Sequence, residues 1–220
     1  VFNISNGVIT RKICVTGDSV YTQSITLQNY TAQIVAPKSV QFSFSWNDLP
    51  VNGHSGWQLI KTAQTSIEGG GISRHYFLKS KSLGIEIELV YATYPNLSVL
   101  RKWITIRNIG TKDAKLENLN VEDLETMFWN THTTVHGNYG RYKYVERMDG
   151  QWDEVLTTFY RYDNMLAWAV GNEAPGVLKR TAWNLSTSKI ESGLTHTYDD
   201  FPFRKWIKPG QSWKSPAVFI

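Results

Sequence analysis

The sequence predicts an all-β fold, a large antiparallel β-sandwich, and three observations carry that expectation. Apolar and polar residues alternate with a period of two along Val40–Trp46 and again along Ile85–Leu89, which turns one face of each run toward a core. Short runs rich in β-branched and aromatic residues recur along the chain, punctuated by Gly, Pro and Asn. Helical patterning is thin, and no eightfold alternation of strands with helices occurs; 220 residues also fall short of the roughly 250 that a (β/α)8 barrel typically needs.

Taken in order, the candidate strands are 9–15, 21–27, 40–46, 58–67, 72–78 and 85–89, each bounded by turn-forming residues. Residues 100–108 follow the Tyr94-Pro95-Asn96 break and close on the cluster Asn108-Ile109-Gly110-Thr111-Lys112-Asp113, which reads as strand, turn, strand. Between Lys112 and Glu125, Leu116 with Leu119 and Val121 with Leu124 stand three apart, a spacing that suits a helix or a bulged strand. The preceding hairpin-type turn favours the strand. Runs 142–147, 156–162, 165–170, 178–183 and 213–220 complete the series.

With 41% hydrophobic and 19% charged residues the chain has enough apolar material for a packed core and too little charge for disorder. Nothing in the composition marks an internal boundary, so one domain over 1–220 is expected. The longest apolar run, Met165 to Val170, is far below the roughly 20 residues of a membrane-spanning helix, so a soluble chain is expected. A net charge of +4 is spread over pairs such as Arg11-Lys12, Arg101-Lys102, Lys179-Arg180 and Arg204-Lys205, and no basic tract suggests nucleic acid. The single Cys14 excludes an intrachain disulfide and multi-cysteine metal sites. A start at Val1 reads as a processed or truncated chain from which a secretion signal could have been removed, which leaves the compartment open; the oligomeric state is open as well.

Chemistry-bearing patterns are sparse. His132 and His136 would converge on a metal in a helix, but in an extended strand they stand about 13 Å apart, too far to share one. No metal and no cofactor is therefore expected. Glycoside cleavage uses two carboxylates facing each other across the bond. Glu146, Asp149, Asp153, Glu154, Glu173, Asp199 and Asp200 are present, yet no spacing selects a pair, so none is assigned a catalytic role. Nine Trp, eleven Tyr and nine Phe form the informative excess, since such rings build sandwich cores and also stack on sugar faces. The stretch from Trp46 to Trp57 reads as a strand running into a Pro/Gly/Asn loop. Trp46, His54 and Trp57 are the candidate sugar contacts, against the alternative that both indoles close the end of the core.

Several motifs, in their order along the chain, carry a resemblance. The run from Tyr94-Pro95-Asn96-Leu97 through Val99, Arg101 and Trp103 to Asn108-Ile109-Gly110 looks like the "YP-x-L-x-V-x-R" strand and "N-x-G" turn of melibiase-type α-galactosidases, glycoside hydrolase family 36. His136-Gly137 with Arg141 and Glu146-Arg147 is similar to their "HG…R…ER" stretch, with Asn138-Tyr139-Gly140 inserted and the charges spaced differently. Gly171 to Gly176 followed by Lys179-Arg180 resembles the loop that closes this domain in relatives, and Ile207 to Ile220 looks like the last strand before their barrel. The resemblance covers 85–220, and 1–84 by pattern alone.

The resemblance implies a supersandwich of the galactose-mutarotase type, placed N-terminally to a catalytic barrel that carries both acidic residues beyond Ile220. On that basis the chain is expected to be a non-catalytic accessory domain with a galactoside-like carbohydrate and the barrel of the same chain as partners. Two other readings stay open: a lectin-like module acting alone, and a mutarotase-like enzyme, which needs a His acid and a carboxylate base in one cleft.

Overall fold

The computed structural model describes residues 1–30, 33–127, 132–136, 142–146, 150–161, 166–175, 179–184, 186–194 and 203–220, with backbone alone for 132–136 and 142–146 and for Trp152, Arg161 and Leu166. The described residues form three antiparallel sheets. The sole helical element among them is one 3-10 turn, Glu68–Gly70, and no helix is long and apolar enough to cross a membrane.

Strands β1 (Phe2–Ser5), β2 (Ile9–Thr16), β3 (Ser19–Leu27) and β4 (Ser39–Val40) make a four-stranded sheet in chain order. Next come β5 (Ser43–Trp46), β6 (Leu49–Asn52), β7 (Gln58–Ile67), β8 (Gly71–Ser80), β9 (Ile85–Thr93), β10 (Leu100–Asn108) and β11 (Ala114–Glu125). The remainder are β12 (His132–His136), β13 (Tyr142–Glu146), β14 (Gly150–Trp152), β15 (Leu156–Arg161), β16 (Leu166–Asn172), β17 (Arg180–Asn184), β18 (Lys189–Leu194), β19 (Arg204–Ile207), β20 (Ser212–Lys214) and β21 (Val218–Phe219). A ten-stranded sheet runs β13-β12-β15-β16-β21-β10-β9-β8-β7, with β20 also on β10. A seven-stranded sheet runs β14-β17-β18-β11-β5-β6, with β19 also on β11.

The period-two run 85–89 folds within strand β9, and 58–67 and 100–108 match their sequence limits residue for residue. The ambiguous 112–125 segment is strand β11, with register shifts on both sides and a left-handed Asn118, φ 50°. Two expected strands are split. Residues 40–46 do not form one strand: Val40 pairs with Tyr21 in the four-stranded sheet, whereas Ser43 opens β5 in the seven-stranded one. The crossing between sheets is enclosed on both sides, which is why Gln41 and Phe42 are both fully buried despite opposite parity. The tail breaks at Ser215-Pro216-Ala217 into β20 and β21, since Pro has no N–H for the ladder. Where β21 pairs with β16, Gly171 leaves room for the Phe219 ring; an added Cβ would stand 2.0 Å from it.

One contiguous apolar core lies between the sheets, with Phe42, Trp46, Trp57, Leu89, Ile104, Leu116, Val121, Phe159, Val170 and Trp183 among its members. Where the three sheets meet it also holds charge. Arg11 of β2 donates to Glu122 of β11 at 2.5 and 3.1 Å, to Gln41 Oε1 at 2.9 Å and to Thr22 Oγ1 at 2.8 Å. Lys102 of β10 ion-pairs with Glu122 at 3.4 Å and donates to the Gln41 carbonyl; the Tyr91 hydroxyl of β9 donates to Gln41 Oε1. The Arg11 guanidinium lies 5.0 Å from the centre of the Tyr91 ring. All of these side chains are shut off from water, so each polar group depends on its neighbours for hydrogen bonds. Burial pushes the Lys102 ammonium down to about 7, against the pull of Glu122 and with the repulsion of Arg11.

Candidate functional site

The stretch from Trp46 to Trp57 is held tightly rather than presented as a loop. Asn47 and Asp48 both take positive φ, 50° and 67°, the geometry of a two-residue hairpin turn, and join β5 to β6. The Asn52–Ser55 turn is closed by Ser55 Oγ accepting from Asn52 N at 3.0 Å and by Asn52 Oδ1 accepting from His54 N at 2.8 Å. The Trp57 indole N–H donates to the Asn52 carbonyl at 2.7 Å, and its backbone N–H donates to Asp18 O at 2.7 Å. Trp57 meets Phe42 edge-on at 5.7 Å and is 1% exposed; Trp46 is 3% exposed. Neither indole offers a face to a ligand, so the alternative in which both close the core describes their placement. Of the three candidate contacts, His54 alone is exposed, 6.2 Å from the Tyr21 ring. Sequence reasoning misplaced the indoles because Pro, Gly and Asn punctuation marks a turn without saying what packs over it.

Gly53 shows how close that packing is. Its carbonyl accepts from Val20 N at 2.7 Å, and a Cβ on it would stand 2.2 Å from Val20 O. Gly53→Ala is therefore expected to cost about 1–3 kcal/mol through forced separation of the β5–β6 hairpin from β3, read as a lower denaturation midpoint. An unchanged midpoint would mean that this contact yields freely.

The polar constellation lies elsewhere, on the outward face of the ten-stranded sheet. Register places its side chains in cross-strand rows: Thr65, Ser73, Ala92, Arg101; then Ala63, His75, Val90, Trp103; then Lys61, Phe77, Glu88, Thr105, Lys214; then Lys79, Glu86, Arg107, Ser212. The alternate residues Tyr76, Leu78, Ile87, Leu89, Ile104 and Ile106 face the core. In the middle of this face is a relay. His75 Nδ1 lies 2.7 Å from Glu88 Oε1, His75 Nε2 lies 2.9 Å from Ser73 Oγ, and the Ser73 and Thr65 hydroxyls are 2.7 Å apart.

Beside the relay, Lys79 donates to Glu86 at 2.9 Å, and Arg107 reaches the other Glu86 oxygen at 3.4 Å. The hydrogen bond from Lys79, aided by Arg107, holds Glu86 below the usual carboxylate range. A shallow hollow of about 320 Å³ is lined by Ile60, Lys61, Phe77, Glu86, Glu88 and Arg107. Farther along β10, Arg101 forms a bidentate pair with Glu173 at 2.5 Å, and Trp103 carries Arg101 and Lys214 over its ring at 5.5 and 4.8 Å.

Chemically this face combines half-buried aromatic rings with carboxylates, hydroxyls and cations, the mixture that recognises a polyol or a polar protein surface. Among the described side chains its carboxylates Glu86, Glu88 and Glu173 are each engaged by a basic side chain, so no two of these stand free to work across one glycosidic bond. Among the described residues no three His, Cys, Asp or Glu side chains gather as a metal site. His132 and His136 do lie on an extended strand, β12, flanked by β13 and β15. Gly137, Arg141, Arg147, Asp149, Gly176, Asp199 and Asp200, named in the sequence reading, lie outside the described residues. The His75–Glu88 pair could have been found from the sequence, since the strands 72–78 and 85–89 were legible and a short turn makes them neighbours.

No family model and no curated protein matches the chain. Solved structures do share its fold. A GH36 α-galactosidase, AgaB from Geobacillus stearothermophilus, matches with a TM-score of 0.72 at 10% identity, over 99% of this chain and 39% of that one. The α-galactosidase from Lactobacillus brevis matches with a TM-score of 0.73 at 9% identity, over 99% and 38%. The Slr1438 protein from Synechocystis sp. PCC 6803 matches with a TM-score of 0.52 at 11% identity, over 99% of this chain and 94% of that one. The chain thus spans about two fifths of the length of these α-galactosidases, and the likeness is one of fold.

Proposed function

We propose that the chain is a non-catalytic accessory supersandwich domain of an α-galactosidase-like glycoside hydrolase, packed on a catalytic barrel. What carries this reading is the coverage: nearly all of this chain superposes on a minor part of two α-galactosidases, leaving the larger part of each for something else. Relatives in fold have been solved with 1-deoxygalactonojirimycin and with raffinose, so a galactoside-like sugar is the carbohydrate proposed for the parent enzyme. The outward face of the ten-stranded sheet, with its rows of paired charges and cation-capped rings, is the surface offered to the barrel or to the rim of its sugar site.

The reading has two tests. The coding sequence downstream of Ile220 should encode a barrel with Asp residues at strand ends; a stop codon there sinks the proposal. Residues 1–220 alone should leave p-nitrophenyl α-galactoside intact, at the rate of a buffer blank. Turnover that survives purification and disappears when one carboxylate of this chain is replaced would overturn a non-catalytic role.

A second reading, a carbohydrate-binding module acting alone, is favoured by the match to a chain of nearly equal extent. It predicts saturable binding of a galactoside or glucoside to residues 1–220 by calorimetry. Polarimetry on freshly dissolved α-galactose separates binding from ring opening: acceleration lost in His75→Gln or Glu88→Gln would promote a mutarotase-like role for the pair.

A further inference from the structure

We propose that the free edge of β7 is a docking site for a second copy of this chain, which pairs with it strand to strand, antiparallel, about a two-fold axis at Ala63. A strand at a sheet edge presents unpaired N–H and C=O groups that template another strand, and proteins blunt such edges with short strands, Pro, bulges or charge. The other described edges follow that rule. β13 has five residues, two of them charged, β1, β6 and β19 have four each, β14 and β20 three and β4 two, and β6 carries Pro50. The edge formed by β7 does not: it runs ten residues, Gln58–Ile67, or about 33 Å, without Pro and with Lys61 as its one charge.

The two devices that β7 does possess are turned aside. Its bulge lies at one end, between Leu59 and Lys61, leaving Lys61–Ile67 regular. The Lys61 ammonium folds back over the Phe77 ring of its own sheet at 4.6 Å instead of projecting past the edge. Thr65 is likewise drawn back toward Ser73 and His75. From Lys61 to Ser66 every residue is exposed, and among the described residues the backbone of β7 pairs with β8 alone.

The occupant follows from the sequence of the edge itself. A two-fold axis through Ala63, perpendicular to the sheet, sets Lys61 opposite Thr65 of the second copy and Thr62 opposite Gln64. No like charges are opposed, and Ala meets Ala on the axis, where directly opposed Cβ atoms come within about 4.5–5.5 Å. The contact is isologous, so it closes as a dimer and leaves no further β7 edge free to propagate. Pairing over so few residues is smaller than a standard interface, so a dissociation constant of about 10–500 µM is expected.

Sedimentation equilibrium of the 220-residue chain between about 10 µM and 1 mM tests this. The wild type should pass from monomer to dimer across that range. Thr65→Glu sets a carboxylate opposite Lys61 twice across the axis and should tighten the dimer about fivefold. Thr65→Lys and Ala63→Lys oppose like charges and should each weaken it about tenfold or more. Both sites are exposed, and circular dichroism melts confirm that each variant is folded; should Thr65→Lys not fold, Ala63→Lys carries the repulsive arm. A wild type that stays monomeric to 1 mM overturns the proposal. So does a dimer indifferent to all three variants, which would lie on another surface, or one in which the two Thr65 variants shift association in the same direction.

Discussion

Arg11→Ala is expected to destabilise the fold by about 3–5 kcal/mol, because it strands Glu122 in the core after removing the partner that holds both its oxygens. Lys102 does not substitute, since it meets Glu122 at 3.4 Å and is itself tied to the Gln41 carbonyl. Urea denaturation with Glu122→Gln as companion reads the effect. A triple replacement of Arg11, Glu122 and Lys102 by apolar residues of similar volume should recover most of the loss, since a buried ion cluster contributes less than the cost of breaking it suggests. A loss below about 1 kcal/mol in Arg11→Ala would mean that water reaches the cluster.

The cluster also makes stability depend on pH, with a sign fixed by its composition. Two cations, Arg11 and Lys102, surround one anion, Glu122, so a neutral Lys102 balances the charge. Its folded value, about 7, lies below its ordinary 10.5. Between those limits the unfolded chain holds a proton that the folded chain has released, so stability rises with pH over this window and is lost as pH falls toward 7. Tyr91, pushed up by burial, acts in the opposite sense above about pH 10, so the comparison belongs between pH 7 and 9.5. In Lys102→Met this rise should vanish; a rise that persists unchanged assigns it to another group.

Trp57→Ala is expected to cost a similar about 3–5 kcal/mol, the penalty for emptying a buried Trp site, or roughly 6–20 °C in melting temperature for a chain of this size. The loss includes the indole hydrogen bond to the Asn52 carbonyl and the contact with Phe42, while the backbone bond from residue 57 to Asp18 O is kept. His54→Ala, two residues from the Asn52 anchor but exposed, should stay within about 0.5 kcal/mol. A Trp57→Ala protein that melts with the wild type, yet loses sugar affinity, would return the indole to a ligand-contact role.

The sequence by itself determined the class of fold and most of the longer strands, because a period of two is a local property and survives without knowledge of partners; short strands such as 2–5 and 49–52 carry too few alternations to be read. It determined more than the scattered basic pairs suggested. Arg11 shares parity with Ile9 and Ile13, and Lys102 with Leu100, Ile104 and Ile106, so each pair sends one cation inward and one outward; Arg11 is 0% exposed while Lys12 faces solvent. What local pattern could not supply was the partner of an inward cation. Glu122 is 111 residues from Arg11, and only the meeting of three sheets brings them together. The same limit governs the site. Alternation states which residues share a face, but whether that face is covered depends on distant strands. Trp57 is buried, packed edge-on against Phe42 with its backbone N–H tied to Asp18 of the β2–β3 turn, whereas the face bearing His75, Glu88 and Trp103 remains on the outside. Tertiary structure decided both, since burial is set by what packs opposite and not by the strand's own residues.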